Sequence, residues 1–468
     1  MSVSMKGYRD RIIKGSIVRT LLWLSMPLVV VQLIQISYNV ADAFWLSMYS
    51  DIALAVPRQV WPLFLFFSAT SMALSSSNLA LISQYVGARE FEEASEVASK
   101  YFTTSVIMGA LFGIAYFTLR PLIFSYVIKV PKEIYEQVIA YAGIVAIVTS
   151  FSYVVMAYST ILQGIGDTRR PALVTAFYLL VNIVLDPLLI FGIPPFPRLG
   201  VIGAAVTDLM GNMLSVITLA MIIKRAFPDL RVWFTRRINL EWIMLNLRIG
   251  LPILVLVLSN STAKMLQLRL VNTFGVVAAT AYSLGFVAMD LSDAALRGLS
   301  RAAAIMVGQN LGAGLCKRAR EIALKSSSLI FTITLVGATI LYIVRDPFIA
   351  IFIQDPMIHT EARRFLEVFL WSLPFFGIML TAMFIGRGSG HTLLPSLIGI
   401  VRLWGFWVGL GYLLALFMKY GSMGIWIAMG IGNIATGIIA LIWLKYGGWA
   451  RPVIRAPKKH IALARASK

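Results

Sequence analysis

Long apolar runs broken by short polar turns recur along the whole chain, each near the roughly 20 residues a helix needs to cross a bilayer. Twelve spans are expected, near 17–46, 53–84, 97–121, 136–162, 171–193, 199–223, 242–270, 276–308, 322–344, 363–385, 394–417 and 421–445. Two begin awkwardly: Pro57, Arg58 and Pro62 interrupt the second, and Arg363 with Arg364 crowds the tenth.

An internal repeat organises these spans. Gln84, Gly87, Ala88, Ala94, Glu96, Ala98 and Lys100 return as Gln309, Gly312, Ala313, Ala319, Glu321, Ala323 and Lys325, every pair 225 positions apart. Pro27 and Pro252 keep the same offset. Gly164, Gly166, Thr168 and Pro171 recur as Gly388, Gly390, Thr392 and Pro395, offset by 224, and Gly203, Gly211 and Asn212 as Gly424, Gly432 and Asn433, offset by 221. Chance supplies one such match, not an ordered series. Six spans per half put both halves in one orientation, the usual frame for alternating access around a midplane site. The expected organisation is an N-terminal lobe over 1–223, a cytoplasmic linker over 224–241, a C-terminal lobe over 242–446 and a basic tail over 447–468.

Composition excludes a soluble enzyme: 59% of the 468 residues are hydrophobic, 13% are charged and the mean hydropathy is +0.82. Lys plus Arg number 41 against 21 acids, an excess that in a soluble chain would suggest nucleic-acid binding. Their placement says otherwise. Lys6, Arg9, Arg11, Lys14 and Arg19, then Lys224, Arg225, Arg231, Arg236 and Arg237, then Lys317, Arg318 and Arg320 all fall on one side, and the outer loops are poor in basic residues. The positive-inside rule then places both termini in the cytoplasm of a cell-membrane protein. The charged start of the chain lacks a signal-peptide core, so the first span is retained. A lone Cys316 and the scattered His359, His391 and His460 suggest neither disulfide nor zinc chemistry. No cofactor is expected.

Ionisable residues inside spans each cost roughly 2.5–3.5 kcal/mol on insertion scales, and so become candidates for function. The first half supplies Asp42, Asp186 and Asp208, each four residues from a polar neighbour: Tyr38, Asn182 and Asn212. A spacing of four shares a helix face. If the faces converge, their carboxylate, carboxamide and phenol oxygens suit Na⁺ or a proton on a carboxyl; otherwise they cap helices or bond between them. The repeat supplies an internal control, because the equivalent positions hold Gln267, Leu410 and Met429. The acids belong to the first half alone. In the second half Lys264, Arg269, Asp290, Asp293, Arg297, Arg301 and Arg402 read chiefly as structural ion pairs, with Lys264 and Arg402 as the alternative cleft-lining charges. Pro27 permits a bend near Asp42, although Pro252 repeats it without the acid. Gly164-x-Gly166 reads as a tight turn, with Asp167, Arg169 and Arg170 at the membrane surface.

Pro27, Tyr38-Asn-Val-Ala-Asp42, Gln163-Gly-Ile-Gly-Asp-Thr-Arg-Arg-Pro171, Asn182-Ile-Val-Leu-Asp186-Pro187 and Gly203-Ala-Ala resemble the multidrug and toxic compound extrusion (MATE) family of the MOP flippase superfamily. The resemblance covers nearly the whole chain. It implies a V-shaped pair of six-helix lobes that exports cationic or amphipathic compounds in exchange for H⁺ or Na⁺, with substrate held among aromatic and Met side chains. It carries the N-lobe cation-site role to Asp42, Asn182 and Asp186, with Tyr38 beside them and Pro27 as the bend. The branch with acidic coupling residues in the C-terminal lobe is disfavoured by Lys264 and Arg402. Asp208 departs from the family, whose members usually show Thr there, while Thr207 sits one residue earlier. A flippase for lipids or lipid-linked saccharides is the alternative, favoured by Lys264, Arg297, Arg301 and Arg402 and opposed by the acids. A channel fits the duplicated halves less well, and no constellation for a membrane enzyme is present. The expected partners are small organic substrates and the bilayer, without nucleic acid, for a protein expected to be monomeric.

Overall fold

The computed structural model describes residues 5–50 and 52–454, without the side chains of Ala288, Asp290, Leu291 and Ala294. Asp51, the Asp290 side chain, His460 and the part of the basic tail beyond residue 454 therefore lie outside the described residues.

Among the described residues the chain is helical and holds no strand. The first half comprises α1 (Met5–Lys14), α2 (Ile17–Tyr49), α3 (Ala55–Gly87), α4 (Phe91–Val127), α5 (Lys132–Ile165), α6 (Arg169–Phe191) and α7 (Val201–Ala226). The second comprises α8 (Leu240–Asn272), α9 (Gly275–Gly312), α10 (Cys316–Ile343), the short α11 (Arg345–Phe352) and helices Pro356–Ser389, Leu393–Phe417 and Ser422–Tyr446. Eleven of these are long and apolar enough to cross a membrane. The expected eighth span coincides with α9, which is apolar over Gly275–Val287 and then carries Asp293, Arg297 and Arg301.

Both awkward starts are continuous helices. Pro57 falls in the first turn of α3, where a missing N–H has no partner to lose, and Pro62 is accommodated within the helix. The tenth span begins earlier than expected, at Pro356, because Asp355 accepts the backbone N–H groups of Met357 (2.8 Å) and Ile358 (3.0 Å). Arg363 then pairs with Glu367 at 3.0 Å and Asp346 at 3.7 Å, and Arg364 pairs with Glu361 at 3.7 Å.

The chain divides into two compact units. One contains Pro27–Asn246 with Met1–Arg11, and the other Leu247–Arg455 with Ile12–Met26, so the division falls inside α2, at Pro27. The core of the first unit gathers Phe67, Tyr116, Phe124, Val138, Ile190 and Ala204. Small residues let its helices approach closely: a Cβ on Gly113 would meet the Ser150 hydroxyl, which donates to the Gly109 carbonyl at 2.9 Å. The core of the second unit is built around Trp407, Trp426, Phe365, Phe369 and Met429. There Gly388 lies so near Ala304 that a Cβ would strike its carbonyl oxygen. Helix Leu393–Phe417 departs from α-geometry, with π turns over Val401–Leu410 and Leu413–Phe417.

Candidate functional site

The site of the first unit is assembled from α2, α6 and α7. α6 is set by the turn that precedes it. Gly166 closes α5 in the left-handed region (φ 105°), a conformation natural to glycine. Asp167 then accepts the backbone N–H of Arg170 at 3.1 Å and its guanidinium at 2.8 Å. Asp167 is fully buried within the protein: as an acceptor for the first turn of α6 it satisfies a donor that would otherwise be orphaned.

One face of α6 carries Asn182 and Asp186 inward, both fully buried. On α7, Thr207 is fully buried and Asp208 half-buried. The Tyr38 hydroxyl of α2 donates to Asp208 Oδ1 at 3.0 Å, and Asn182 Nδ2 donates to the same oxygen at 3.1 Å. Asp208 thus joins three helices. The Thr207 hydroxyl donates to Asp186 Oδ1 and also lies 2.8 Å from the Ala204 carbonyl. One proton cannot serve both acceptors fully. Ionised Asp186 draws the hydroxyl proton; protonated Asp186 can donate to Thr207 Oγ1, which turns its own proton to Ala204.

Asp42, half-buried one helical turn beyond Tyr38, buries Oδ1 without a hydrogen-bond partner among the described residues, as do Asp186 Oδ2 and Asn182 Oδ1. Buried acceptors without donors are unfavourable by about 1–3 kcal/mol each and are rare. Among the described residues no group of three His, Cys, Asp or Glu side chains is arranged to hold a metal ion.

The expected Asp208–Asn212 pair does not form between side chains. Asn212 donates instead to the Asp208 backbone carbonyl at 2.9 Å and accepts from Ser152 at 3.2 Å. Sequence reasoning missed Tyr178, which packs with Asn182 against Gly211, where a Cβ would strike its ring. The signal was the recurrence of Gly211-Asn212 as Gly432-Asn433, since Gly432 gives the same close approach to Phe406 and Trp407.

The second unit holds different chemistry. Gln267, equivalent to Asp42, is fully buried and accepts from Tyr282 at 3.0 Å. Arg297 pairs with Asp293 at 2.6 Å, as expected for a structural ion pair. Lys264 Nζ lies 5.2 Å from the centre of the Phe286 ring. Arg402 is buried, donates to Asn433 Oδ1 at 3.2 Å and stacks on Trp407 (4.3 Å) and Phe376 (4.9 Å).

A family model described as MatE matches the chain twice, over residues 27–188 and 252–413. The chain belongs to the MatE family. The two matches are themselves 225 positions apart, the offset found within the sequence. This MatE chain is 26% identical over 420 residues to the probable multidrug resistance protein YoeA of Bacillus subtilis (strain 168), covering 86% of this chain and 89% of that one. It is 25% identical over 461 residues to the probable multidrug resistance protein NorM of Thermotoga maritima, covering 96% and 97%. Its fold matches the crystal structure of MATE in the bent conformation with a TM-score of 0.85 at 22% identity, over 98% and 99% of the two chains. The MatE protein is a multi-pass membrane transporter and not an enzyme.

Proposed function

We propose that this MatE protein exports small organic compounds by alternating access, in antiport with H⁺ or Na⁺ that binds among Asp42, Asn182, Asp186, Thr207 and Asp208, with Tyr38 as a donor to the cluster. The observation that carries this reading is the group of buried acceptor oxygens on Asp42, Asn182 and Asp186 that lack donors. A cation entering there satisfies acceptors that the fold leaves unmet. The two ways of placing the Thr207 proton suit coupling by H⁺, because they link the protonation of Asp186 to a hydrogen bond on α7. Relatives named as multidrug resistance proteins support efflux over the flippase alternative. Cationic and amphipathic compounds are the proposed substrates, since an acidic cluster repels anions. Pro27 supplies the proposed bend of α2, and no cofactor enters the scheme. Both termini are placed in the cytoplasm, on the side of the basic loops, and the working unit is a monomer of two lobes.

The test is efflux of a fluorescent organic cation from proteoliposomes, driven in turn by an imposed Na⁺ gradient and an imposed pH gradient. Transport driven by one gradient and abolished by Asp42→Asn supports the reading and names the ion. Full gradients maintained by Asp42→Asn at equal incorporation contradict it.

A further inference from the structure

Between α7 and α8 the chain does not simply cross from one half to the next; its segment from Phe227 to Asn239 is laid along the first turns of α4. The Ser99 hydroxyl donates to the Arg231 carbonyl at 3.1 Å and accepts the Trp233 N–H at 3.3 Å, while Thr103 accepts the Thr235 N–H at 3.0 Å. Phe234 sits edge-on to Phe102 at 5.1 Å. These contacts fix the strap where α4 changes from acidic first turns to apolar ones, as a helix does on entering a bilayer. Trp233 and Phe234 are 52% and 64% exposed there, as aromatic side chains at a membrane interface are.

Strap and helix border an open concavity of about 1020 Å³, at the upper end of the ~300–1,000 Å³ of small-molecule sites. Its lining includes Arg231, Arg236 and Arg237 and also Glu90, Glu92 and Asp229. Among the described residues none of these six side chains forms an ion pair or a hydrogen bond, whereas two further charges of the lining look outward, Glu96 to Lys100 at 2.7 Å and Arg89 to Asp10 at 3.9 Å. Cations and carboxylates thus share one concavity without joining one another. A ligand that bears both signs can bridge them.

We propose that this cavity binds the headgroup of a zwitterionic phospholipid with a primary ammonium, phosphatidylethanolamine, independently of the coupling reading above. The guanidiniums take the phosphate, for which their paired donors are shaped. The carboxylates accept the ammonium N–H groups. Trp233 and Phe234 border the glycerol and the start of the acyl chains. An anionic headgroup meets repulsion from Glu90, Glu92 and Asp229, and a quaternary ammonium has no N–H to donate.

Native mass spectrometry of the full chain, titrated with phosphatidylethanolamine, phosphatidylcholine or phosphatidylglycerol, tests this. The wild type is expected to retain phosphatidylethanolamine best; Arg236→Ala with Arg237→Ala should weaken that binding about tenfold, and Glu92→Gln should shift preference toward phosphatidylglycerol. The ranking on wild type alone remains decisive if the variants fail to fold. Phosphatidylglycerol bound as well as phosphatidylethanolamine by wild type, or folded variants that bind like wild type, overturns the proposal.

Discussion

Asp208→Ala removes an acceptor that serves two donors, Tyr38 at 3.0 Å and Asn182 at 3.1 Å. Tyr38 is 8% exposed and Asn182 fully buried, so water does not readily replace the lost oxygen. Each orphaned donor costs about 1–3 kcal/mol, for a total of about 2–6 kcal/mol. In a unit of this size each kcal/mol lowers Tm by about 2–4 °C, and a fall of at least about 4 °C is expected. Asp208→Asn keeps the acceptor, removes the charge, and offers its new N–H groups to a site with buried acceptors on Asp42 and Asp186. It should melt within about 2 °C of wild type while altering ion coupling. The assay is thermal unfolding in detergent, followed by tryptophan fluorescence and by gel filtration of the heated samples. If Asp208→Ala melts with wild type, or Asp208→Asn falls as far as Asp208→Ala, Asp208 is not the shared acceptor that joins the three helices.

Thr207→Val should cut coupled transport at normal expression, since it removes the donor to Asp186, and Thr207→Ser should restore most of it; equal activity of all three in proteoliposome efflux would count against the hydroxyl's role. Gly388→Ala puts a Cβ 2.1 Å from the Ala304 carbonyl oxygen and is expected to destabilise by about 1–3 kcal/mol or more, whereas Gly448→Ala, with nothing within 4 Å, should leave Tm unchanged. His391, in the turn before Leu393, accepts from Arg451 Nε at 3.3 Å, and burial, with Arg451 and Arg248 nearby, holds its pKa below the usual imidazole range. Folding therefore favours the neutral ring: its contribution is full above the unfolded pKa and is lost as pH falls below it. Hydrogen exchange around Arg451, corrected for intrinsic rate, should accelerate between pH 7.5 and 5.5, and His391→Gln should abolish that pH dependence.

The apolar runs made the helices legible, because burial in lipid writes itself into composition over about 20 residues. The repeat was legible for a related reason: glycines and prolines that set close approaches and turns, such as Gly388 and Gly390, recur at fixed offsets. The candidate acids stood out because charge is costly in a span. Their partners were harder to see. Thr207 and Asp208 are adjacent yet take different partners, Thr207 donating to Asp186 and Asp208 accepting from Tyr38 and Asn182, and only packing decides that Asn212 turns to a backbone carbonyl. α1 read merely as a charged start, yet Met5, Ile12 and Ile13 bury one of its faces. The strap over Phe227–Asn239 reads in the sequence only as a linker, because its order comes from backbone hydrogen bonds with Ser99 and Thr103, which leave no hydrophobic period.

The π turns near Arg402 bear on how the two halves parted. Helix Leu393–Phe417 starts 224 positions after Arg169–Phe191 and has 25 residues to its 23, and a π turn is how a helix absorbs an added residue without breaking. Within Val401–Leu410 the helix is wound more widely, yet Phe406, the counterpart of Asn182, still meets Gly432 as Asn182 meets Gly211. Divergence in this chain therefore lies in helical winding as well as in side chains, while the close approach of the two helices is kept.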